Sequence, residues 1–208
     1  MTQKFRLVVF DIGNVLLGFD LSRAARNFDR LEKKAVGAAL VDTIWNTPLN
    51  ARLETGRISP GDFYALLRKK HGFRMSFRLF CRAFNDIFTP IPANLALLSA
   101  LSKKYPVALL SNTNEIHWRH MLRTYPVLRK AHWPVGSHMI KAMKPNPRAY
   151  QRLARLTGVP LSRMVYTDDR ADLIAAARGL GITAVHCTER RSLKKDFEAL
   201  GLFSNGRR

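Results

Sequence analysis

Three short apolar runs in this chain each stop on a residue suited to holding a phosphate or a cation. Phe5 to Phe10 ends at Asp11, Val107 to Leu110 ends at Ser111, and Met164 to Thr167 ends at Asp168. Runs of this length, apolar throughout, read as strands buried on both faces. Thr183 to Cys187 is a fourth, and Val135 to Ser137 a weaker fifth. Helical patterns fill the gaps: Leu95 to Lys103, Glu115 to Leu122, Arg148 to Leu156 and Ala171 to Leu180, the last two closed by Gly158 and Gly181. Strand and helix alternate from residue 93 or so onward, which predicts an α/β fold: a Rossmann-like parallel sheet with helices on both faces. In such sheets ligands bind outside the carboxyl ends of the strands, where the three polar stops would meet.

Residues 16–88 follow another rule, with helical patterns and no strand. Ser59-Pro60-Gly61-Asp62 writes a helix start, with a Ser N-cap, Pro at the first position and an acid at the third. The expected organisation is a core of residues 1–15 and 89–208 with a helical cap inserted at 16–88. Residues 204–208 read as a frayed tail. The chain is 208 residues long and 47% hydrophobic, enough for a core without staples. Cys81 and Cys187 are its only cysteines, so a disulfide framework and a cysteine zinc site are excluded. A reducing, cytoplasmic setting is the expectation. No apolar run approaches the length of a membrane span, and Leu7 to Phe19 is broken by Asp11 and lacks a signal-peptide layout.

The charge is strongly positive: 35 Lys and Arg against 15 Asp and Glu, a net +20. Arg68, Lys69, Lys70, Arg74, Arg78 and Arg82 lie close together, but basic residues recur along the whole chain. No aromatics interleave them as in a stacking groove. The charge is read as solubility and steering of an anionic substrate, against specific nucleic-acid recognition.

In so basic a chain, four carboxylates in the strand-end clusters call for an explanation. The first cluster is Asp11-Ile12-Gly13-Asn14, the second Ser111-Asn112-Thr113-Asn114, the third Asp168-Asp169-Arg170-Ala171-Asp172, and Lys144-Pro145 precedes a helix. Asp11, Asp168 and Asp169 offer the hard oxygens that suit Mg²⁺. Ser111 and Asn112, near a helix start, offer donors for an anion. Lys144 supplies a point positive charge for phosphate, and a carboxylate can act as nucleophile toward phosphorus.

With these motifs in order, the chain resembles the haloacid dehalogenase superfamily. The likeness runs through Phe10-Asp11-Ile12-Gly13-Asn14-Val15-Leu16, Ser111-Asn112-Thr113-Asn114, Lys144-Pro145 and Tyr166-Thr167-Asp168-Asp169. In the insertion, Glu54-Thr55-Gly56-Arg57-Ile58-Ser59 is similar to a cap segment of this superfamily. The branch it resembles includes the α-D-glucose-1-phosphate phosphatases, with the N-terminal phosphatases of epoxide hydrolases next. The resemblance implies an Mg²⁺-dependent phosphatase that hydrolyses a small phosphorylated metabolite, a sugar phosphate above all, through an aspartyl-phosphate. It implies Asp11 as nucleophile and, with the Gly13 carbonyl and Asp169, as metal ligand. Ser111 and Asn112 would hold the phosphoryl oxygens, Lys144 would bind and neutralise them, and Asp168 would support the site.

Two departures stand out. Most phosphatases of the superfamily write D-x-D in the first motif, the second Asp being the acid and base; Gly13 stands there, as in the D-x-G-N-V of the branch it resembles. Asp20 could substitute, though a helix N-cap is the plainer reading. Leu173 stands where relatives place Asn, and Asp172 is expected to cover that role. Two rivals stay open: a metal-independent haloacid dehalogenase, and a weakened enzyme that binds a polyanion through its basic surface.

Other patterns carry less. Gly179 to Ala184 fits G-x-G-x-x-A, but the order is helix then strand, the reverse of a dinucleotide site. His117 and His120 are expected on a plain surface helix, His186 and Cys187 in a strand. Trp118 and Trp133 are read as packing, and Trp45 as packing or facing substrate.

Overall fold

The computed structural model of the protein describes residues 4–188 and 192–203; the expected frayed tail lies outside them. Among the described residues, seven strands and eleven α-helices follow in chain order. The first stretch is β1 (Leu7–Phe10), β2 (Leu17–Phe19), α1 (Leu21–Glu32), α2 (Gly37–Trp45), α3 (Pro48–Glu54), α4 (Pro60–His71), α5 (Phe77–Asn85) and β3 (Phe88–Pro90). The second is α6 (Pro92–Leu101), β4 (Val107–Ser111), α7 (Glu115–Thr124), β5 (Trp133–Gly136), α8 (Ser137–Ile140), α9 (Pro147–Thr157), β6 (Met164–Asp168), α10 (Ala171–Gly179), β7 (Thr183–His186) and α11 (Leu193–Ala199).

Five strands form a parallel sheet in the order β5-β4-β1-β6-β7. Every residue of β1, β4 and β6 is buried, as the unbroken apolar runs require of strands covered on both faces. Alternation along the strands divides the core. Val8, Phe10, Leu109 and Val165 pack with Leu98, Met121 and Phe197 on one face. Leu7, Val9, Leu110 and Tyr166 pack with Tyr150, Leu153 and Ile174 on the other. The chain builds outward from β1 through β4 to β5, then crosses to β6 and β7. The crossing makes the carboxyl end of β1, between β4 and β6, the topological switch point, where ligands bind in open sheets.

Helices α1 to α5 bury a separate cluster built on Phe28, Leu40, Ile44, Leu53, Phe63, Phe73, Phe80 and Phe84, closed by Ile116 of α7. Their starts are capped by side chains: Asp20 for α1, Thr47 for α3, Ser59 for α4 and Ser76 for α5. Gly37 is demanded by packing, since a Cβ there would lie 2.0 Å from the Ala25 carbonyl oxygen. The basic group from Arg68 to Arg82 is exposed along this layer.

Two expectations need correction, and one alternative is decided. Residues 16–88 do contain a strand: β2 pairs antiparallel with β3. Three residues centred on Gly18 are too few to show an alternating pattern. His117 is not on a surface. It is 6% exposed, its ring 4.0 Å from that of Phe84 and edge-on to Phe88, because α7 turns this face to the helical layer. Trp45 packs on Phe84 and His117, which makes it a packing residue.

His117 Nδ1 meets Asn85 Oδ1 at 3.0 Å, while Nε2 has no hydrogen-bond partner among the described residues. Burial, with His120 adding to it, pushes the imidazole down to about 3. The unfolded imidazole binds a proton below its ordinary value near 6.5, while the folded one does not until about 3. Stability is therefore lost as pH falls through that window, by about 2 kcal/mol between pH 8 and pH 5 from this group. Urea denaturation of His117→Gln at both pH values should show a drop smaller by about that amount; an unchanged drop would assign the acid sensitivity elsewhere.

Candidate active site

Four of the sequence-predicted residues converge at the switch point. Asp11 follows β1, Asp168 ends β6, Asp169 comes next, and Lys144 enters from the loop before α9. Carboxylate oxygens of the three aspartates lie within 4.8 Å of one another. Lys144 is 3% exposed, its Nζ 2.6 Å from Asp168 Oδ2 and 2.9 Å from Asp11 Oδ1. Tyr166 donates its hydroxyl to Asp168 Oδ2, and the Lys144 ammonium sits 5.4 Å from the Tyr166 ring centroid. Burial alone would lower the Lys144 ammonium, but Asp11 and Asp168 outweigh it and hold it above its ordinary value.

One ammonium against three carboxylates leaves two negative charges in a dry place. Asp11 records the excess: burial first, and Asp168 after it, push its carboxyl up to about 6 despite the pull of Lys144. Burial also raises Asp169, with Asp168 adding and the amide of Asn14 opposing. All the donors are hard oxygens, and a divalent cation would cancel the surplus, so the residues present fit Mg²⁺.

The phosphate-side residues divide. Ser111, at the end of β4, is buried beside the cluster's strands. Asn112 does something else: its Nδ2 donates to the Lys144 carbonyl at 2.8 Å, and its Oδ1 accepts the Lys144 N–H at 2.8 Å. Its side chain thereby holds the Lys144 backbone in place beside the cluster. Asp172 also departs from expectation. It is exposed and paired with Arg170 at 2.7 Å, because its position in the first turn of α10 turns it to solvent. The support expected of it comes from residues not singled out. Asn14, in left-handed backbone at φ 51°, donates its amide to Asp169 Oδ2 at 3.0 Å. His186 Nε2 lies 2.8 Å from the Asp169 carbonyl. The Asn14 signal was legible, since Asn tolerates that backbone region better than other side chains.

The Phe19 ring leaves little room for a side chain at Gly13. A Cβ there would meet the Phe19 ring at 3.3 Å and Asp11 Oδ2 at 3.8 Å. Asp20 is exposed at the start of α1, where Ser22 N–H and hydroxyl bind it, so the N-cap reading of Asp20 describes it. These hydrogen bonds hold its carboxyl below the ordinary range.

A family model described as haloacid dehalogenase-like hydrolase matches residues 5–181, the whole span from β1 to the turn after α10. The chain belongs to the haloacid dehalogenase-like hydrolases. It is 28% identical over 221 residues to phosphatase MT3486 of Mycobacterium tuberculosis, covering 96% of each chain. Its fold is similar to that of a haloacid dehalogenase family enzyme of Bacteroides thetaiotaomicron, with a TM-score of 0.83 at 24% identity over 94% of this chain and 99% of that one. That enzyme was also solved with magnesium, and with magnesium and inorganic phosphate together. The L-2-haloacid dehalogenase of Xanthobacter autotrophicus is similar at a TM-score of 0.63 and 19% identity, over 95% of this chain and 83% of that one. For a haloacid dehalogenase-like hydrolase, the parallel sheet and the converging strand ends are thus family architecture.

Proposed function

We propose that the protein is an Mg²⁺-dependent phosphatase acting on a small phosphomonoester, of which a sugar phosphate is the favoured class. The observation that carries this reading is the buried Lys144 ammonium held between Asp11 and Asp168 with Asp169 beside them. Such a set serves a phosphoryl group, which brings negative charge of its own and needs both a nucleophile and positive charge around it. The relative named a phosphatase and the neighbour solved with magnesium and phosphate support it.

In this reading an Asp11 carboxylate oxygen attacks phosphorus and forms an aspartyl-phosphate, which water then hydrolyses. Lys144 orients Asp11 and neutralises phosphoryl oxygens; Ser111 binds one of them. Asp11, Asp169 and the Gly13 carbonyl would hold Mg²⁺, whose charge lets an anionic phosphate approach three carboxylates. Asn14 and His186 keep Asp169 in place. The helical layer α1–α5 covers the carboxyl ends as a cap, with β2 and β3 as its stem.

Phosphate release from a panel of phosphorylated metabolites, with magnesium and with chelator, tests the reading. Chelation should silence turnover. Asp169→Ala should weaken apparent magnesium affinity by at least about tenfold, a cost that even residues supporting a metal's ligands incur. Turnover untouched by chelator would move the protein toward the dehalogenase chemistry of its Xanthobacter neighbour.

A further inference from the structure

The helical layer brings one carboxylate to the site. Glu54 ends α3, and two contacts pin that end to the carboxyl side of the sheet. Its carbonyl accepts the Ser137 hydroxyl at 2.6 Å, and Ser137 Oγ in turn accepts the Thr113 N–H of the loop after β4 at 2.9 Å. Two residues on, Gly56 turns at φ 62°, so close to α8 that a Cβ would lie 2.7 Å from the His138 carbonyl oxygen. The sequence Glu54-Thr55-Gly56 is therefore a docking turn that fixes where Glu54 stands.

The Glu54 side chain is half-buried and near enough to Asp11 and Lys144 to feel both charges. Burial pushes its carboxyl up to about 7; Asp11 adds to the rise, while an Asn50 hydrogen bond and Lys144 oppose it. His138 stands on the α8 helix packed against α3, and Arg52, Arg57, Asp62 and Glu115 line the cleft on the outer side of this turn. The His138 ring binds the Thr113 carbonyl, with Nδ1 at 3.0 Å. Gly13 offers no acid beside Asp11, and Asp20 is engaged as an N-cap.

We propose that Glu54 is the proton donor and acceptor for the ester oxygen and the attacking water at Asp11. The inference rests on the phosphatase reading. As Asp11 Oδ bonds to phosphorus and the ester P–O bond breaks, the Glu54 carboxylic acid gives its proton to the leaving oxygen. The resulting carboxylate then takes a proton from water as the water oxygen bonds to that phosphorus. The P–O bond to Asp11 breaks, inorganic phosphate departs, and both Asp11 carboxylate and Glu54 acid are restored. A carboxyl poised near neutrality suits both half-reactions.

Glu54→Gln keeps the shape and removes the proton. The experiment compares kcat/KM for an alkyl phosphate, whose leaving oxygen needs a proton, with that for p-nitrophenyl phosphate, whose leaving group does not. The alkyl-to-aryl ratio should fall by about 10²-fold or more, and Glu54→Asp should recover part of it. In the wild type, kcat/KM for the alkyl ester should decline above about pH 7, where the acid is lost, and the aryl ester should lack that limb. Equal losses on both esters, or identical limbs, would make Glu54 a packing residue and overturn the inference while leaving the phosphatase standing. No phosphate release by the wild type, or release that survives in Asp11→Asn, would overturn the phosphatase reading and this inference with it.

Discussion

Asp11→Asn should abolish phosphate release, lowering kcat by at least about 10³-fold, while the protein stays folded. The amide matches the carboxylate in size and loses only charge and nucleophilicity, and removal of a covalent nucleophile is among the largest single losses an enzyme shows. The fold should tolerate it well. Asp11 lies past the end of β1, and the wild-type site carries surplus negative charge that pushes its carboxyl up to about 6. Losing one carboxylate relieves that repulsion, so thermal stability should stay level or rise. Rapid-quench labelling with radioactive phosphoester gives the sharper check: the wild type should trap an acid-stable, alkali-labile phosphoprotein and the variant none. Residual turnover in folded Asp11→Asn within tenfold or so of wild type would exclude the covalent route.

Lys144→Met should be the most damaging substitution of the set for both stability and activity. It leaves Asp11 and Asp168 facing each other in the interior with no cation between them. Breaking a buried ion pair from one side costs about 3–5 kcal/mol. The sign with pH follows from the partners. Without Lys144 the Asp11 carboxyl rises further above its unfolded value, so the variant loses stability as pH climbs through and above about 6 and regains it in acid. Denaturant midpoints at pH 5 and pH 8 should therefore diverge more for the variant than for the wild type. Activity should fall by about 10²–10³-fold, the cost of removing a preorganised charge from a developing anion. A variant as stable as wild type at pH 8 would show that the ammonium carries none of this balance.

The sheet was legible from sequence because a parallel strand buried on both faces has to be an unbroken apolar run, and each run ended in a residue with evident chemistry. Asp11, Lys144, Asp168 and Asp169 could be singled out on that ground. What stayed hidden depends on direction. Asp172 and Asp169 are three residues apart, yet one faces Arg170 and solvent while the other faces Asn14. Asn112 reads as an amide for a ligand, and only the structure shows that it also bridges the Lys144 backbone. His117 sits in a segment with polar neighbours on either side, and only the packing of α7 against Phe84 and Phe88 shows that it is enclosed. β2 is too short for its period to register. Glu54 was legible as part of a motif, but its docking was not, since the Ser137 contact that holds the end of α3 to the sheet joins residues far apart in the chain.

The central place of β1 has a consequence for how the chain becomes this molecule. Val8 pairs with Val107 on one side and Val165 on the other, so β1 leaves the ribosome about a hundred residues or more before either partner. Until β6 is made, at least one edge of Leu7–Phe10 stands open, and open apolar edges invite pairing between nascent chains. High contact order of this kind also slows folding relative to helical chains of similar size. A chain carrying +20 repels its own copies throughout that interval. The surplus of lysine and arginine thus acts before any substrate arrives, keeping unfinished chains apart while the middle of the sheet is still empty.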